Sequence, residues 1–206
     1  MRILVTGFEP FGGMTQNPSS KLVSWIDEET FPEAEVKTMT LPVTYSQCAE
    51  PVVEALHSWK PDVVLLFGVA AGRPSISLER IAINMEDAPG LEDNEGEAPV
   101  DRPVVNEGPA AYFSTLPLRE IKETLQQGGV PAAFSYSAGT YICNTTMYRV
   151  LHEASAHSLP VQAGFIHLPA SPDMIPDGSK PTMAPETVQR AFRHILQTII
   201  KKEAAV

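Results

Sequence analysis

The chain has 206 residues, 43% of them hydrophobic and 19% charged, and a formal net charge of −10. That balance is ordinary for a globular chain long enough to bury a sizeable core. With 15 Lys and Arg against 25 Asp and Glu, no nucleic-acid partner is expected, because such affinity rests on basic side chains that neutralise phosphates.

Ile3-Leu4-Val5 reads as a first core strand. It lacks the longer apolar region of an export signal, and no later run reaches the roughly 20 apolar residues that span a bilayer. No membrane association is therefore expected. A turn-rich loop through Gly12-Gly13 follows, and Asn17-Pro18-Ser19 offers a helix start ahead of Leu22, Val23 and Ile26. Val36 to Val43 can form a second strand, and Pro51 to Trp59 carries Val52, Val53 and Leu56 at helical spacing. The run from Pro61 to Gly68 is continuously apolar from Val63 to Phe67, the pattern of a strand covered on both faces.

From Ser75 to Asn84 apolar and polar residues alternate, as in a strand pair or an irregular extended segment. Glu86 to Glu107 turns acidic and rich in Pro, Gly and Asn, and reads as a long surface excursion, a kind of loop that is often functional. Pro117 to Gln127 is a helix closed by Gly128-Gly129, Pro131 to Tyr136 a strand, Asn144 to Ser155 a helix and Val161 to Leu168 a strand. After a loop from Pro169 to Pro185, the stripe Val188, Phe192, Ile195, Leu196, Ile199 and Ile200 marks a terminal amphipathic helix. This alternation predicts an α/β fold: a three-layer α/β/α sandwich with a mixed, mainly parallel sheet, spanning 1–206 as one domain.

The chemistry concentrates in a few places. In Ser137-Ala138-Gly139-Thr140-Tyr141-Ile142-Cys143-Asn144 a cysteine stands where a helix should begin. Helix N-terminal N–H groups and the helix dipole favour a thiolate there and could also receive an oxyanion. The competing reading is a small buried apolar residue, the commoner fate of a lone Cys. Cys48 sits inside a helical pattern and reads as filler. With two cysteines and no export signal, a reducing, cytoplasmic setting without a disulfide is expected.

His57, His152, His157 and His194 fall in or at the ends of helical segments, whereas His167 ends an apolar strand before a loop. Such strand ends are where α/β sheets bind ligands, so His167 is the best candidate base. Glu79, between apolar residues, is either an exposed strand position paired with Arg80 or a buried acid hydrogen-bonded to an imidazole. A Cys–His–Glu set would follow the logic of nucleophile, base and orienter. The loop Thr6-Gly7-Phe8-Glu9-Pro10-Phe11-Gly12-Gly13 lacks the spacing of a phosphate cradle, and its Phe8 and Phe11 offer apolar faces.

Together these segments resemble the pyroglutamyl-peptidase I family of cysteine peptidases. The resemblance rests on the N-terminal loop with Asn17-Pro18-Ser19, on Glu79-Arg80-Ile81-Ala82-Ile83-Asn84, on the cysteine segment, and on Gly164-Phe165-Ile166-His167-Leu168-Pro169. Asp93-Asn94-Glu95-Gly96 and Gly108-Pro109-Ala110-Ala111-Tyr112 add to it. It implies a cofactor-independent homotetrameric hydrolase that binds no metal and removes N-terminal pyroglutamate from peptides. By the same resemblance Cys143 is the nucleophile, His167 the base and acid, and Glu79 its orienter. Phe8 and Tyr141 would flank the lactam ring, and backbone near Phe11 and Val69 would read its polar atoms. Asn17 and Ile142 complete the expected substrate-binding set. Two departures stand out: Tyr141 replaces an expected phenylalanine, and Ala88-Pro89-Gly90-Leu91-Glu92-Asp93 lacks an expected arginine.

Rival readings are a phosphate-using nucleoside phosphorylase, a binding module with inert Cys143, and a zinc site of Cys143, His167 and Glu79. Against the first, the Gly-rich loop holds no Lys or Arg. Against the last, no closely spaced ligand pair occurs.

Overall fold

The computed structural model describes residues 1–203. Its frame is a six-stranded sheet. The strands are β1 (Arg2–Phe8), β2 (Glu35–Leu41), β3 (Val63–Val69), β4 (Ile76–Glu79), β7 (Ala132–Ser135) and β8 (Gln162–Leu168), in the order β2-β1-β3-β8-β4-β7. The first four strands of that order run parallel, β4 lies antiparallel to β8, and β7 is parallel to β4. The sheet is therefore mixed and mainly parallel. β1 and β3 lie centrally and are buried along nearly their whole length, as their unbroken apolar runs require.

Helices cover both faces. On one, α1 (Pro18–Asp27), α3 (Leu118–Gln127) and α5 (Pro185–Glu203) pack Leu22, Ile26, Ile121, Leu125, Phe192 and Ile195 against Ile3, Val5, Leu65 and Phe67. On the other, α2 (Glu50–Ser58) and α4 (Ile142–Ala156) pack Val52, Leu56, Met147 and Leu151 against Leu4, Val64, Leu66 and Phe165. Alternate residues of β1 and β3 point to the two cores, the period-2 geometry of a strand. The result is the expected three-layer α/β/α arrangement.

Several local expectations are refined. The extended stretch 75–84 divides: β4 joins the main sheet, while β5 (Ile81–Ile83) pairs antiparallel with β6 (Ala111–Phe113) in a separate ribbon. β6 has only three residues, too few for a periodic signal. Cys48 lies in a bend before α2, fully buried, rather than in a helix. The segment 86–107 is not simply a surface excursion, since Glu86, Ala88 and Asp93 are buried and Glu86 bridges Arg102. Both cysteines are free. No helix among the described residues is long and apolar enough to cross a membrane.

The end of β1 and the start of α1 meet closely. Asn17 caps α1 by accepting from the Ser19 N–H at 3.0 Å, and Ser19 Oγ accepts from the Phe8 N–H at 3.0 Å. A Cβ on Gly7 would lie 2.4 Å from the Ser19 carbonyl oxygen, which is backbone and cannot rotate away. Gly7→Ala should therefore destabilise the protein by about 1–3 kcal/mol through overpacking. Thermal unfolding should show it as a Tm loss of about 2–4 °C per kcal/mol; an unchanged Tm would mean that this contact relaxes without cost.

Candidate active site

β8 delivers His167 one residue before its end, and β4 delivers Glu79 as its last residue. The antiparallel register sets Ser77 opposite His167, so Glu79 falls on the same face one pleat further along. Glu79 is fully buried and His167 is 4% exposed. The His167 Nδ1–H donates to Glu79 Oε1 at 2.7 Å, which leaves Nε2 free to accept a proton.

The same carboxylate oxygen accepts from Arg73 at 2.6 Å. Burial acts to raise the Glu79 pKa, but His167 together with Ser135 and Arg73 outweighs it and holds the group below the usual carboxylate range. Glu79 is thus a buried, ionised acid and not an exposed strand residue. Arg80, its sequence neighbour, lies over the Phe134 and Tyr136 rings instead. Nothing in the local pattern singled out Arg73, which sits in the loop after β3; only the fold brings it to Glu79.

Cys143 is the second residue of α4, behind the N-cap Tyr141. Its thiol lies over Gly68: a Cβ there would stand 3.1 Å from Cys143 Sγ and 2.8 Å from the Phe165 ring. Gly68 is the register partner of His167, so thiol and imidazole approach the same stretch of sheet, in space that a side chain at 68 would fill.

The expected lowering of the Cys143 pKa does not hold for the resting site. Burial, then the nearby Cys48 and Glu79, push the thiol up to about 12, against a smaller opposing effect of Arg73 and its own backbone N–H. The resting sulfur is a neutral thiol, and a nucleophile at this position needs a base to take its proton.

A narrow cavity opens beside the sulfur. Its walls are Phe8, Phe11, Asn17, Val69, Tyr141 and Ile142, with Val43, Gly68 and Cys143. The structure thus gathers the six residues expected to bind substrate, and adds Val43 and Gly68. No lining residue is charged. Phe8 stacks on Phe165 at 6.1 Å, while Tyr141 meets Phe11 at 5.9 Å and Tyr45 at 5.7 Å. The Tyr141 hydroxyl donates to the Glu92 carbonyl at 3.0 Å, so the extra oxygen relative to phenylalanine has a partner in the unusual loop. The carbonyl oxygen of the Asn17 side chain is used by the cap of α1 and its amide donates to the Glu9 carbonyl. A wider, open hollow between Phe31 and the end of α5 is lined by no cysteine or histidine.

The 86–107 segment does not line this cavity but braces residues that do, the Asn94 N–H donating to the Val43 carbonyl and the Glu92 carbonyl holding Tyr141. Glu9 Oε1 accepts from the Val43 N–H and from the Asn94 amide, and the Asp93 carboxylate accepts from the N–H groups of Tyr45, Glu95 and Glu97. Burial raises the Asp93 pKa, but these backbone donors prevail and lower it. Asn144 anchors α4 to β5 by accepting from the Ile83 N–H and donating to the Ile83 and Met85 carbonyls. Among the described residues, Cys143, His167 and Glu79 do not form a metal-ligand cluster.

Comparison with known proteins agrees over nearly the whole chain. A family model described as "Pyroglutamyl peptidase" matches residues 1–202. The chain is similar to the pyrrolidone-carboxylate peptidase of Thermococcus onnurineus, at 44% identity over 98% of this chain and 100% of that one. It is similar to that of Vibrio vulnificus strain CMCP6, at 42% identity over 98% and 94%. Among solved structures, the pyroglutamyl peptidase I of Bacillus amyloliquefaciens superposes with a TM-score of 0.92 at 35% identity, over 97% of this chain and 94% of that one.

The neutral resting thiol has a measurable consequence. Alkylation of Cys143 by iodoacetamide should keep accelerating with pH through 9, with Cys48 protected by burial. A rate already at its plateau near pH 6 would show a preformed thiolate and contradict the protonated resting state.

Proposed function

The chain belongs to the pyroglutamyl peptidase family of hydrolases, and on that premise we propose a cysteine peptidase that cleaves the amide after an N-terminal pyroglutamyl residue through a Cys143–His167–Glu79 triad. The observation that carries this reading is the buried Glu79–His167 pair beside a thiol and an uncharged, aromatic-walled cavity. A pyroglutamyl group is a flat lactam without a free amine. A cavity with no carboxylate to hold an ammonium, and no Lys or Arg to hold a phosphate, suits it.

In the proposed reaction His167 Nε2 takes the thiol proton as Cys143 Sγ bonds to the pyroglutamyl carbonyl carbon. The developing oxyanion would be met by N–H groups at the very start of α4, such as that of Cys143, since those of Asn144 and Thr145 already donate to the Tyr141 carbonyl. Collapse breaks the C–N bond, with His167 returning its proton to the departing amine, and leaves a thioester. A water then gives its proton to His167 and adds to the carbonyl, and the C–S bond breaks to release pyroglutamate and regenerate the thiol. Glu79 would hold the imidazole in one tautomer and stabilise the imidazolium. Phe8 and Tyr141 would cover the ring faces, with backbone near Phe11 and Val69 pairing its C=O and N–H; Asn17 and Ile142 would complete the wall.

The proposal treats 1–206 as one peptidase domain working in a reducing, cytoplasmic compartment, consistent with two free cysteines. It also includes a homotetramer, for which the exposed Phe113 and Tyr136 side chains offer apolar contact surface.

Hydrolysis of a fluorogenic pyroglutamyl amide tests the reading. Cys143→Ala and His167→Ala should each lower kcat by about 10⁴-fold or more, with the double variant little worse, because the groups act as a unit. Glu79→Gln should cost less. Prolyl amides, which bring a charged amine and no lactam carbonyl, should be poorer by orders of magnitude. Equal cleavage of prolyl and pyroglutamyl amides would sink the assigned cavity, and an active Cys143→Ala would sink the triad.

A further inference from the structure

Arg73 makes more of its position than a surface ion pair would. Its guanidinium donates to Glu79 Oε1 at 2.6 Å, to Ser135 Oγ at 3.3 Å and to the Ser137 carbonyl at 3.2 Å. Glu79 Oε1 is also the atom that holds His167 at 2.7 Å, so one oxygen divides its charge between guanidinium and imidazole. Ser137 lies in the loop that leads from β7 to the α4 start at Ile142-Cys143. We infer that Arg73 is a positioning residue that locks Glu79 to the Cys143 loop and restrains Glu79 from over-stabilising the His167 imidazolium.

The inference rests on the catalytic reading above, and its physics is simple. A buried carboxylate facing an imidazole alone favours the charged imidazolium, and an imidazolium cannot accept the thiol proton. A second cation on the same oxygen offsets that pull. The titratable and charged groups around the pair are Arg73 from the β3–β4 loop and Cys143 from α4; β7 contributes the Ser135 hydroxyl and its following loop the Ser137 carbonyl. The guanidinium fork, unlike an ammonium, can reach Glu79 and Ser137 at once.

The test separates this idea from the proposed function by using Cys143→Ala protein, which needs no turnover. The His167 imidazole is titrated by NMR, its signal identified by its loss in His167→Gln. Arg73→Gln should raise the titration midpoint by about one pH unit, and Arg73→Lys should leave it close to the parent. In otherwise wild-type enzyme Arg73→Lys should lower kcat about tenfold with little change in KM, because the charge stays and the fork is lost. An unmoved midpoint in Arg73→Gln overturns the electrostatic part. If that variant does not fold, wild-type kcat in Arg73→Lys overturns the positioning role. A parent enzyme inert toward pyroglutamyl amides refutes the function and leaves the titration to decide Arg73.

A different observation, away from the cavity, carries a second inference. His57 near the end of α2, Glu153 in the last turn of α4 and its C-cap His157 place one ligand atom each within 4.8 Å of one another. Both imidazole Nε2 atoms face the same Glu153 Oε1, at 2.6 and 3.2 Å. Two helix C-termini, each the negative end of its dipole, converge at this point. We propose that His57, Glu153 and His157 form a surface site for a borderline divalent cation such as Zn²⁺, with two imidazole nitrogens and one carboxylate oxygen as ligands. Binding would remove the Nε2 protons now aimed at Glu153 and pin α2 to α4. The site lies about 15 Å along α4 from Cys143, at 1.5 Å per residue.

Calorimetric titration with Zn²⁺ in the Cys143→Ala background, which removes the competing active-site thiol, is the test. One equivalent should bind, and His57→Ala or His157→Ala should each weaken it at least tenfold. No saturable binding in the parent protein, or affinity unchanged by both substitutions, overturns the site.

Discussion

One buried carboxylate oxygen organises this molecule's chemistry. Glu79 Oε1 sits at the end of a short strand with no exposure to water and holds both an imidazole at 2.7 Å and a guanidinium at 2.6 Å. A buried charge is tolerable only when it is paired and hydrogen-bonded, so β4, β8 and the loop after β3 must arrive in fixed register around it. The antiparallel pairing of β4 with β8 meets this demand. It inverts the direction of the sheet where the acid must face the histidine, and β7, parallel to β4, brings Ser135 opposite Glu79.

The rest of the site is built by loops that lean on one another. Glu9 and Asn94 join the N-terminal loop to the 86–107 segment, and Asp93 spends its carboxylate on three backbone N–H groups. These charged side chains serve the backbone and stay out of the cavity wall, which remains uncharged. That division matters for the proposed chemistry: a lactam asks for apolar faces and backbone hydrogen bonds, whereas any free charge in the wall would favour a different ligand. Tyr141 shows the same economy, since its hydroxyl is occupied by the Glu92 carbonyl.

Burial also sets the state of the thiol. The N-terminus of α4 favours negative charge, but the enclosed position of Cys143, with Glu79 near it, favours the neutral form more strongly. In the proposed mechanism proton transfer to His167 must therefore accompany attack. This makes the poise of the histidine, and so the groups sharing Glu79 with it, part of the reaction.

The sequence by itself determined the layered fold, because unbroken apolar strands such as Val63–Phe67 and the stripe of α5 each admit one kind of burial. It also marked Cys143, His167 and Glu79, through a strand-to-helix junction, a strand end and a carboxylate among apolar neighbours. Only the tertiary structure decided that Glu79 is buried and ionised, that Arg73 shares its oxygen, and that Asp93 and Asn94 brace the loops behind the cavity. Tertiary structure likewise turned the expected lowering of the Cys143 pKa into a rise. The reason is common to all of these: periodicity and propensity report a residue's own segment, whereas desolvation and ion pairing depend on segments far away in sequence, such as the 88 positions that separate Glu79 from His167.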